Sequence, residues 1–302
     1  MRLISLRKIL ALAAGLLALA GGAAQAQDLT GTLARIKRDG QVRVGHRESS
    51  IPFSYYDHTG QVVGYSQDYS NLIVAAIKKE LGLPALKVSL VPINSQNRIP
   101  RLLAGDYDFE CGSTTNTLER QKQVGFSYTI FIVGARLLVH KDSGIRDFED
   151  LKGKTVAVTA GTTSEELLSS RSDFRRLGLN IISAEDHGDS FRLVESGQAE
   201  AFFIDDALLA GERAEADNPK DWLIVGAPQS FEAYGCMFRK GDAKFKKLLN
   251  DTIIAAQESG AALKSYNRWF RSEIPLKSGS LNFDLSDVMK QLFASPNDKA
   301  FQ

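Results

Sequence analysis

The sequence predicts an α/β protein, and three observations support this fold class. Short apolar segments typical of buried strands alternate along the chain with segments whose apolar residues recur at helical spacing. Glycine follows many of the helical segments, where it can end a helix. Polar loops follow the predicted strands. Because parallel sheets bind ligands at the carboxyl ends of their strands, we expect mainly parallel sheets with a ligand site at that edge.

The first part of the chain alternates between helix and strand. An amphipathic helix is clearest at 66–81, where Ile73 and Ile77 share one face. Pro100 is tolerated only in the first turn of a helix, which places a helix start near Asn97. The predicted strands are 41–45, 87–91 and 107–110, the other predicted helix is 33–38, and 52–63 is predicted as a hairpin.

The same alternation resumes after residue 147. Thr162 with Glu165 and Thr163 with Glu166 both fit the capping-box pattern of a helix start. A predicted strand ends just before Asp205. The predicted strands are 155–158, 180–183, 201–204 and 222–225, and the predicted helices are 147–152, 190–196, 242–259, 261–270 and 285–293.

The first 26 residues are predicted to be a secretory signal peptide. Basic residues precede an apolar segment, 9–20, and the small-residue cleavage pattern Ala24-Gln25-Ala26 follows. The segment 130–139 comes closest to a membrane span, but Gly134 and Arg136 interrupt it. We therefore expect an exported, soluble protein.

Charge and length limit the possible functions. Removing the three basic residues of the signal peptide leaves 34 of the 37 Lys and Arg against 36 Asp and Glu, a formal charge of −2. This balance argues against nucleic acid as the main partner. The length fits one large domain or two of moderate size.

Cysteine and histidine usage bears on redox and metal chemistry. Cys111 and Cys236 could pair in an oxidising compartment, or they could be two buried free thiols. The four histidines lack the spacing of metal ligands. We therefore expect neither a metal nor another cofactor.

The segment 111–120, CGSTTNTLER, is the strongest candidate for a ligand-binding loop. It follows a predicted strand and combines hydroxyl groups and backbone N–H groups with Arg120. A guanidinium can hold a carboxylate through two parallel hydrogen bonds. Arg47 and Arg98 lie in similar polar loops. We predict that the three arginines converge and outnumber the nearby acids, which favours a compact ligand with more than one carboxylate.

These loops resemble those of the periplasmic amino-acid-binding proteins of ABC importers, and among them the glutamate/aspartate-binding group. The resemblance spans essentially the whole mature chain. It is carried by VGHRESSIPFSYYD (44–57), GYSQDYS (64–70), SQNRIPRL (95–102), DFECGSTTNTLERQKQVGFS (108–127), GTTSE (161–165), AEDHGDSFR (184–192), DDALLAGERA (205–214), EAYGCMFRK (232–240) and PNDKA (296–300).

The resemblance implies a two-lobed periplasmic binding protein-like (type II) fold, with two crossing strands between the lobes and the ligand in the cleft. Lobe one then comprises 27–133 and 234–302, and lobe two comprises 134–233. Cys111 and Cys236 both fall in lobe one near a crossing strand, so the resemblance favours a disulfide between them.

The resemblance also implies the ligand contacts at the amino-acid end. The family pattern S-x-[ST]-x4-R matches Ser113, Thr115 and Arg120, with Arg120 on the α-carboxylate. Backbone N–H groups of Thr115 and Thr163 assist there. The Ser113 carbonyl and Asp205 accept hydrogen bonds from the ligand ammonium.

A second group is implied at the distal carboxylate: Arg47, Ser95, Arg98 and His187. Taken alone, each has an ordinary structural interpretation, such as a solvated loop charge for Arg47. Asp206 is the alternative to Asp205 as the ammonium acceptor. Phe53 and Tyr55 either line the pocket or pack in the core.

The implied function is capture of glutamate or aspartate in the periplasm by closure of the lobes. A monomer would then deliver the ligand to an ABC permease with a cytoplasmic ATPase. The main alternative is a periplasmic enzyme similar to cyclohexadienyl dehydratases, with Glu48 or Asp186 as general acid. A sensor domain would require a membrane span in the chain. The choice between glutamate and aspartate stays open.

Overall fold

The computed structural model describes residues 29–277 and 279–300. The predicted signal peptide, 1–26, lies outside the described residues. Across the described part of the chain, no helix has the length and hydrophobicity needed to cross a membrane.

Helices and strands alternate as the sequence predicts, and most begin and end within a few residues of the expected positions. The strands are β1 Gln41–His46, β2 Ser49–Ser50, β3 Ser54–Tyr56, β4 Val62–Val63, β5 Lys87–Pro92, β6 Phe109–Glu110, β7 Val124–His140, β8 Thr155–Thr159, β9 Asn180–Ala184, β10 Ala201–Asp205, β11 Trp222–Val225 and β12 Phe231–Arg239. The α-helices are α1 Gly31–Asp39, α2 Tyr65–Leu81, α3 Arg98–Ala104, α4 Leu118–Gln121, α5 Thr163–Ser170, α6 Ser172–Arg176, α7 His187–Glu195, α8 Asp206–Glu215, α9 Ala243–Glu258, α10 Ala261–Tyr266 and α11 Asp287–Ala294.

Several helix predictions need correction. The helix predicted at 190–196 begins at His187, because the side chain of Asp186 accepts a hydrogen bond from the N–H of Asp189 at 2.8 Å and caps an earlier start. The segment predicted as a helix at 147–152 is a 3₁₀-helix over Phe148–Leu151, and α4, α6 and α8 were not among the predicted helices. In α8, Gly211 allows close packing, since a Cβ atom there would lie 2.3 Å from the carbonyl oxygen of Ile51.

The main sheet has the order β5-β1-β6-β12-β7-β10-β8-β9, with β11 paired to β7. Its two outer parts are parallel: β1 pairs with β5 and β6, and β8 pairs with β9 and β10. The central pairs formed by β7 and β12 are antiparallel. The prediction of mainly parallel sheets therefore holds for the outer parts and is wrong for the centre.

The long strand β7 connects the two parallel parts. Residues from Val124 to Gly134 pair with β12, and the following residues from Ala135 pair with β10. Most of its side chains are buried, so it shows no simple apolar-polar alternation. This strand and β12 occupy the position of the crossing strands implied by the resemblance.

One large apolar core extends across both parallel parts, and a second cluster lies on the side of β8 and β10. Around α2 the core is rich in aromatic rings, with Phe53 packed edge-on against Phe131 and Tyr234 at centroid distances of 4.9 and 5.1 Å. The ring of Tyr55 packs against Trp269. Phe53 and Tyr55 therefore belong to the core packing. On the other side, Phe148, Phe174 and Phe203 form a separate aromatic group.

The structure joins Cys111 and Cys236 in a disulfide. Cys111 directly follows β6, and Cys236 lies in β12, which pairs with β6. The bond therefore links the loop 111–120 to a central strand. Among the described residues, both cysteines are paired and neither is a free thiol.

Candidate functional site

The loop 111–120 leads into the short helix α4, which fixes the direction of Arg120. Thr117 caps this helix, and its side chain accepts a hydrogen bond from the N–H of Arg120 at 3.2 Å. The guanidinium turns back across the loop and donates to the carbonyl of Thr115 at 2.9 Å and to that of Gly161 at 3.3 Å. Burial and the nearby Arg98 lower the pKa of Arg120 to about 9, so this side chain stays charged at neutral pH.

Arg47 follows β1 and is almost completely buried, with 2% of its surface exposed. Its guanidinium donates to Ser95 Oγ at 3.0 Å and to Ser113 Oγ at 3.4 Å. Burial and the charge of Arg98 lower the pKa of Arg47 to about 10. The structure thus connects three of the predicted site residues through one buried cation.

Arg98 is the first residue of α3, and it is as deeply buried as Arg47. Its Nη1 donates to Thr114 Oγ1 at 2.8 Å and lies 3.5 Å from the Ser113 carbonyl, while Nη2 lies 3.5 Å from the Gly161 carbonyl. Its Nε atom is buried and has no hydrogen-bond partner among the described residues. A buried charged donor of this kind is stabilised by an anion.

Loops from the two sides of the molecule meet at these arginines. Gly161 adopts a positive φ of 75°, and a Cβ atom there would lie 2.9 Å from the Cα atom of Gln96. Ser49 Oγ accepts from the N–H of Gly188 at 3.0 Å, and Asn94 donates to Glu185 at 2.9 Å. The predicted site is therefore enclosed between loops that follow β1, β5 and β6 on one side and loops that follow β8 and β9 on the other.

Three buried carboxylates accompany the three arginines: Glu110, Asp205 and Glu232. The prediction that arginines outnumber acids at this position is therefore wrong. Sequence reasoning missed Glu110 and Glu232 because each is a single acid in a short apolar strand, without a motif around it. The quoted segment EAYGCMFRK contains Glu232, but the resemblance assigned it no role.

Glu110 supports Arg98 through an intermediate hydroxyl. Thr114 Oγ1 donates to Glu110 Oε1 at 2.5 Å and accepts from Arg98 Nη1. Burial raises the pKa of Glu110, whereas the Arg98 guanidinium opposes the shift. Glu110 Oε2 is buried without a hydrogen-bond partner among the described residues.

Asp205, at the end of β10, is the buried member of the Asp205-Asp206 pair. Tyr234 donates its hydroxyl to Asp205 Oδ2, and Asp205 Oδ1 has no partner among the described residues. Burial and the neighbouring Glu232 raise the pKa of Asp205 well above its usual value. Asp206 begins α8, and its side chain accepts from the N–H of Gly134 at 3.4 Å. The free oxygen of Asp205 is the one suited to a cationic ligand group.

His187 lies at the start of α7 and is buried, not in a solvated loop. Its Nδ1 lies 2.8 Å from Thr159 Oγ1, and its Nε2 is buried without a partner among the described residues. Burial and the charges of Arg47 and Arg98 hold the pKa of His187 well below its usual value. The imidazole is therefore neutral at pH 7.

The hydroxyl groups of Thr115 and Thr163 meet at one carboxylate oxygen. Both donate to Glu232 Oε2 at 2.5 Å. Thr163 is the first residue of α5, where backbone N–H groups have no acceptor within the helix and favour anions. Thr162 caps this helix by accepting from the N–H of Glu165 at 3.2 Å, which is one half of a predicted capping box, while the Glu165 side chain accepts from the N–H of Gly161 at 2.8 Å instead of from Thr162.

The cluster is suited to binding rather than catalysis. It offers guanidinium donors and two buried carboxylate oxygens that have no hydrogen-bond partner among the described residues, Glu110 Oε2 and Asp205 Oδ1. Of the candidate general acids of the enzyme alternative, Glu48 is exposed, and Asp186 uses its side chain to cap α7. Within the described residues, no group of three or more His, Cys, Asp or Glu could hold a metal ion.

Comparison with known proteins places the chain in a family. The model of the bacterial extracellular solute-binding proteins, family 3, matches residues 42–272. The glutamate/aspartate import solute-binding protein of Salmonella typhimurium is 61% identical over 286 residues, which cover 93% of this chain and 95% of that protein. The L-glutamate/L-aspartate-binding protein of Pseudomonas aeruginosa is 55% identical, and the match covers 91% of each chain.

A solved structure supports the same fold. A mutant of ArgBP from T. maritima is similar with a TM-score of 0.71 and 30% identity, over 80% of this chain and 100% of that chain. The sequence match, the structural match and the two-part sheet with its central antiparallel strands agree. This chain belongs to the bacterial extracellular solute-binding proteins, family 3.

Proposed function

We propose that this protein captures L-glutamate and L-aspartate outside the cytoplasm and delivers them to an ABC permease. The relatives from Salmonella typhimurium and Pseudomonas aeruginosa carry glutamate and aspartate in their names, and they are binding proteins rather than enzymes. The observation that carries the proposal is the buried Arg47 on Ser95 and Ser113, next to Arg98 and Arg120, which both reach the Gly161 carbonyl. This group of cations fits a ligand with two carboxylates.

The amino-acid end of the ligand is assigned to Arg120 and its neighbours. The α-carboxylate takes the Arg120 guanidinium and the backbone N–H groups of Thr115 and Thr163. The ammonium takes Asp205 Oδ1, which is buried and unpartnered, and the Ser113 carbonyl. These groups are common to all amino acids, so this end gives affinity without selecting the side chain.

The distal carboxylate is assigned to Arg47, Ser95, Arg98 and His187. The unpartnered atoms Arg98 Nε and His187 Nε2 lie in this group. Glutamine would leave the two guanidinium groups without an anion, and leaving a buried charge unpaired costs about 3–5 kcal/mol. Glu110 balances part of this charge through Thr114, so we expect acidic ligands to be preferred by about 100- to 1000-fold.

Capture is proposed to occur by closure of lobe one, 27–133 with 234–302, on lobe two, 134–233. A ligand that contacts both lobes binds the closed form better and shifts the population towards it. The ABC permease with its cytoplasmic ATPase then receives the closed form. The periplasm, reached through the signal peptide 1–26, is the proposed location, and a monomer is the proposed state.

Calorimetry of the purified mature protein tests this function. Titration with glutamate and aspartate is expected to give 1:1 binding, whereas glutamine and histidine bind at least about 100-fold more weakly. Glutamate and glutamine differ only in the distal group, so the ratio of their dissociation constants isolates the role of Arg47 and Arg98. Equal affinity for glutamine and glutamate would contradict the proposal.

Binding is expected to release a proton in the pH range where Asp205 of the ligand-free protein is still protonated. The pKa of Asp205 is raised without ligand, and the ligand ammonium would lower it, so binding favours the ionised form. Affinity for glutamate should therefore fall as the pH falls through the pKa of Asp205 in the ligand-free protein. Calorimetry in buffers of different ionisation enthalpy measures the number of protons released.

The matched control for this release is Asp206→Asn, which removes the neighbouring carboxylate. Asp205→Asn is expected to remove the proton release and weaken binding by about 10- to 100-fold, because a charge-assisted hydrogen bond is lost. Asp206→Asn should retain the release. A release that persists unchanged in Asp205→Asn would assign it to another acid of the cluster, such as Glu232 or Glu110.

A further inference from the structure

Glu232 occupies a position that the proposed ligand contacts leave unexplained. It lies near the start of β12, only 3% of its surface is exposed, and three hydroxyl groups surround its carboxylate. Oε2 accepts from Thr115 and Thr163 at 2.5 Å each, and Oε1 accepts from Ser230 at 3.0 Å. No guanidinium or ammonium group is hydrogen-bonded to it in the described part of the chain. The burial of a carboxylate whose hydrogen-bond partners are all hydroxyl groups therefore requires an explanation.

The Thr115 side of this arrangement is fixed by the backbone. The N–H of Asn116 donates to the carbonyl of Ala233 at 2.8 Å, and the N–H of Gly235 donates to the carbonyl of Thr114 at 3.1 Å. These bonds tie the loop 111–120 to β12 on both sides of Tyr234, just after Glu232 in the strand. Thr115 is therefore held close to the point where β12 passes from 134–233 into 234–302.

By the proposed bounds Thr163 and Glu232 belong to lobe two, and Thr115 belongs to lobe one. Thr163 begins α5, which follows β8 in the outer part of the sheet, and it reaches Glu232 where the two lobes meet. Separation of the lobes would move Thr115 away from Thr163, so Glu232 could not keep both hydroxyl groups as partners. Glu232 thus joins one hydroxyl group of each lobe, and both bonds are present only when the lobes are closed.

The same bonds decide what the two threonines offer to a ligand. Their hydroxyl groups are committed to Glu232, and the bridge between Thr115 and Tyr234 uses the N–H groups of Asn116 and Gly235. The backbone N–H groups of Thr115 and Thr163 are therefore the donors left for an anion. The Glu232 charge also favours the charged form of Arg120, which donates to the Thr115 carbonyl.

We propose that Glu232 is a positioning residue that orients Thr115 and Thr163 for the ligand α-carboxylate and stabilises the closed form by accepting a hydrogen bond from one hydroxyl group of each lobe. This inference rests on the proposed function, because it assumes that the ligand carboxylate lies between these threonines. It assigns Glu232 no direct contact with the ligand. Part of the binding affinity then resides in a contact between two protein groups.

A double-mutant cycle between Glu232 and Thr163 tests the proposal by calorimetry. Glu232→Ala and Thr163→Val are each expected to weaken binding about 10- to 100-fold, because each removes a charge-assisted hydrogen bond. The double variant should be no weaker than Glu232→Ala alone, since both changes remove the same bond. Thr163→Ser and Glu232→Gln keep a hydroxyl donor and an acceptor oxygen, and they should bind within about tenfold of the unaltered protein.

The control is Glu166→Ala, which removes an exposed carboxylate of α5 whose charge also acts on Arg120. It should bind normally, which separates the hydrogen bond from a general loss of negative charge. Small-angle scattering at saturating ligand should show a larger radius of gyration for Glu232→Ala than for the unaltered protein. Thr163→Val removes the same hydrogen bond from the other side, so the proposal can be tested even if Glu232→Ala does not fold.

Several outcomes would overturn the proposal. Normal ligand binding by Glu232→Ala would contradict it. So would a double variant in which the fold losses of affinity of Glu232→Ala and Thr163→Val multiply. The cycle uses whichever of glutamate, aspartate, glutamine and histidine the unaltered protein binds most tightly. An unaltered protein that binds glutamine best would overturn the proposed ligand and still leave the Glu232 proposal measurable.

Discussion

Replacing Arg120 with alanine is expected to abolish capture of every amino acid that the protein binds. Arg120 is assigned to the α-carboxylate, which glutamate, aspartate and glutamine share, and its removal leaves that carboxylate unpaired in an enclosed site. Such losses cost about 3–5 kcal/mol, which is a loss of roughly 200- to 5000-fold in affinity. Calorimetry of Arg120→Ala should give no measurable heat with any of the three ligands at micromolar concentration.

Arg120→Lys refines this test, because lysine keeps the charge and loses the planar pair of donors. We expect binding between that of Arg120→Ala and that of the unaltered protein. The matched control is Arg101→Ala, which removes a more exposed arginine paired with Asp106 at 2.8 Å. Thermal unfolding monitored by circular dichroism checks that each variant is folded. Glutamate binding by a folded Arg120→Ala within tenfold of the unaltered protein would contradict the assignment.

Replacing Arg98 with alanine is expected to change selectivity rather than remove all binding. Arg98 is assigned to the distal carboxylate, so glutamate and aspartate should lose about 100-fold or more in affinity, while glutamine loses much less. The measured quantity is the ratio of the dissociation constants for glutamine and glutamate. This ratio should fall towards one in Arg98→Ala.

Arg101→Ala is again the control, since Arg101 lies in the same helix α3 and carries the same charge. It should leave the ratio unchanged. Because Arg98 also donates to Thr114, some loss of glutamine binding is expected from movement of the loop 111–120. This loss affects glutamine and glutamate alike, so it cancels in the ratio of their dissociation constants. Normal glutamate binding by Arg98→Ala, or an equal loss for both ligands, would show that Arg98 does not read the distal carboxylate.

Much of the outer fold could be predicted from local patterns. Strands such as β8 and β10 are short apolar segments followed at once by polar residues, and a capping box marks the start of α5. The same logic located Arg47 and Asp205, since each directly follows or ends a strand of a parallel part. Side chains at the ends of parallel strands meet at one edge, so their position in the sequence indicates their position in space.

The central strands and the supporting acids could not be predicted in this way. The strand β7 is buried along most of its length, so its sequence resembles a general apolar segment. The sequence therefore does not indicate which strands pair with β7. Glu110 accepts a hydrogen bond from Thr114. Glu232 accepts hydrogen bonds from Thr115 and Thr163, which lie far from it in the sequence and on other elements. Such contacts depend on the tertiary structure alone. For this reason, the prediction that arginines outnumber acids in the site was wrong.

The backbone of Gly161 has a consequence for how long a captured molecule is retained. A side chain at this position would collide with Gln96, and its absence lets two loops from opposite lobes touch above the buried arginines. A molecule enclosed beneath them can leave only after these loops separate. Its residence time is then governed by the frequency of opening, and affinity can change through that frequency without any change in the groups that touch the molecule.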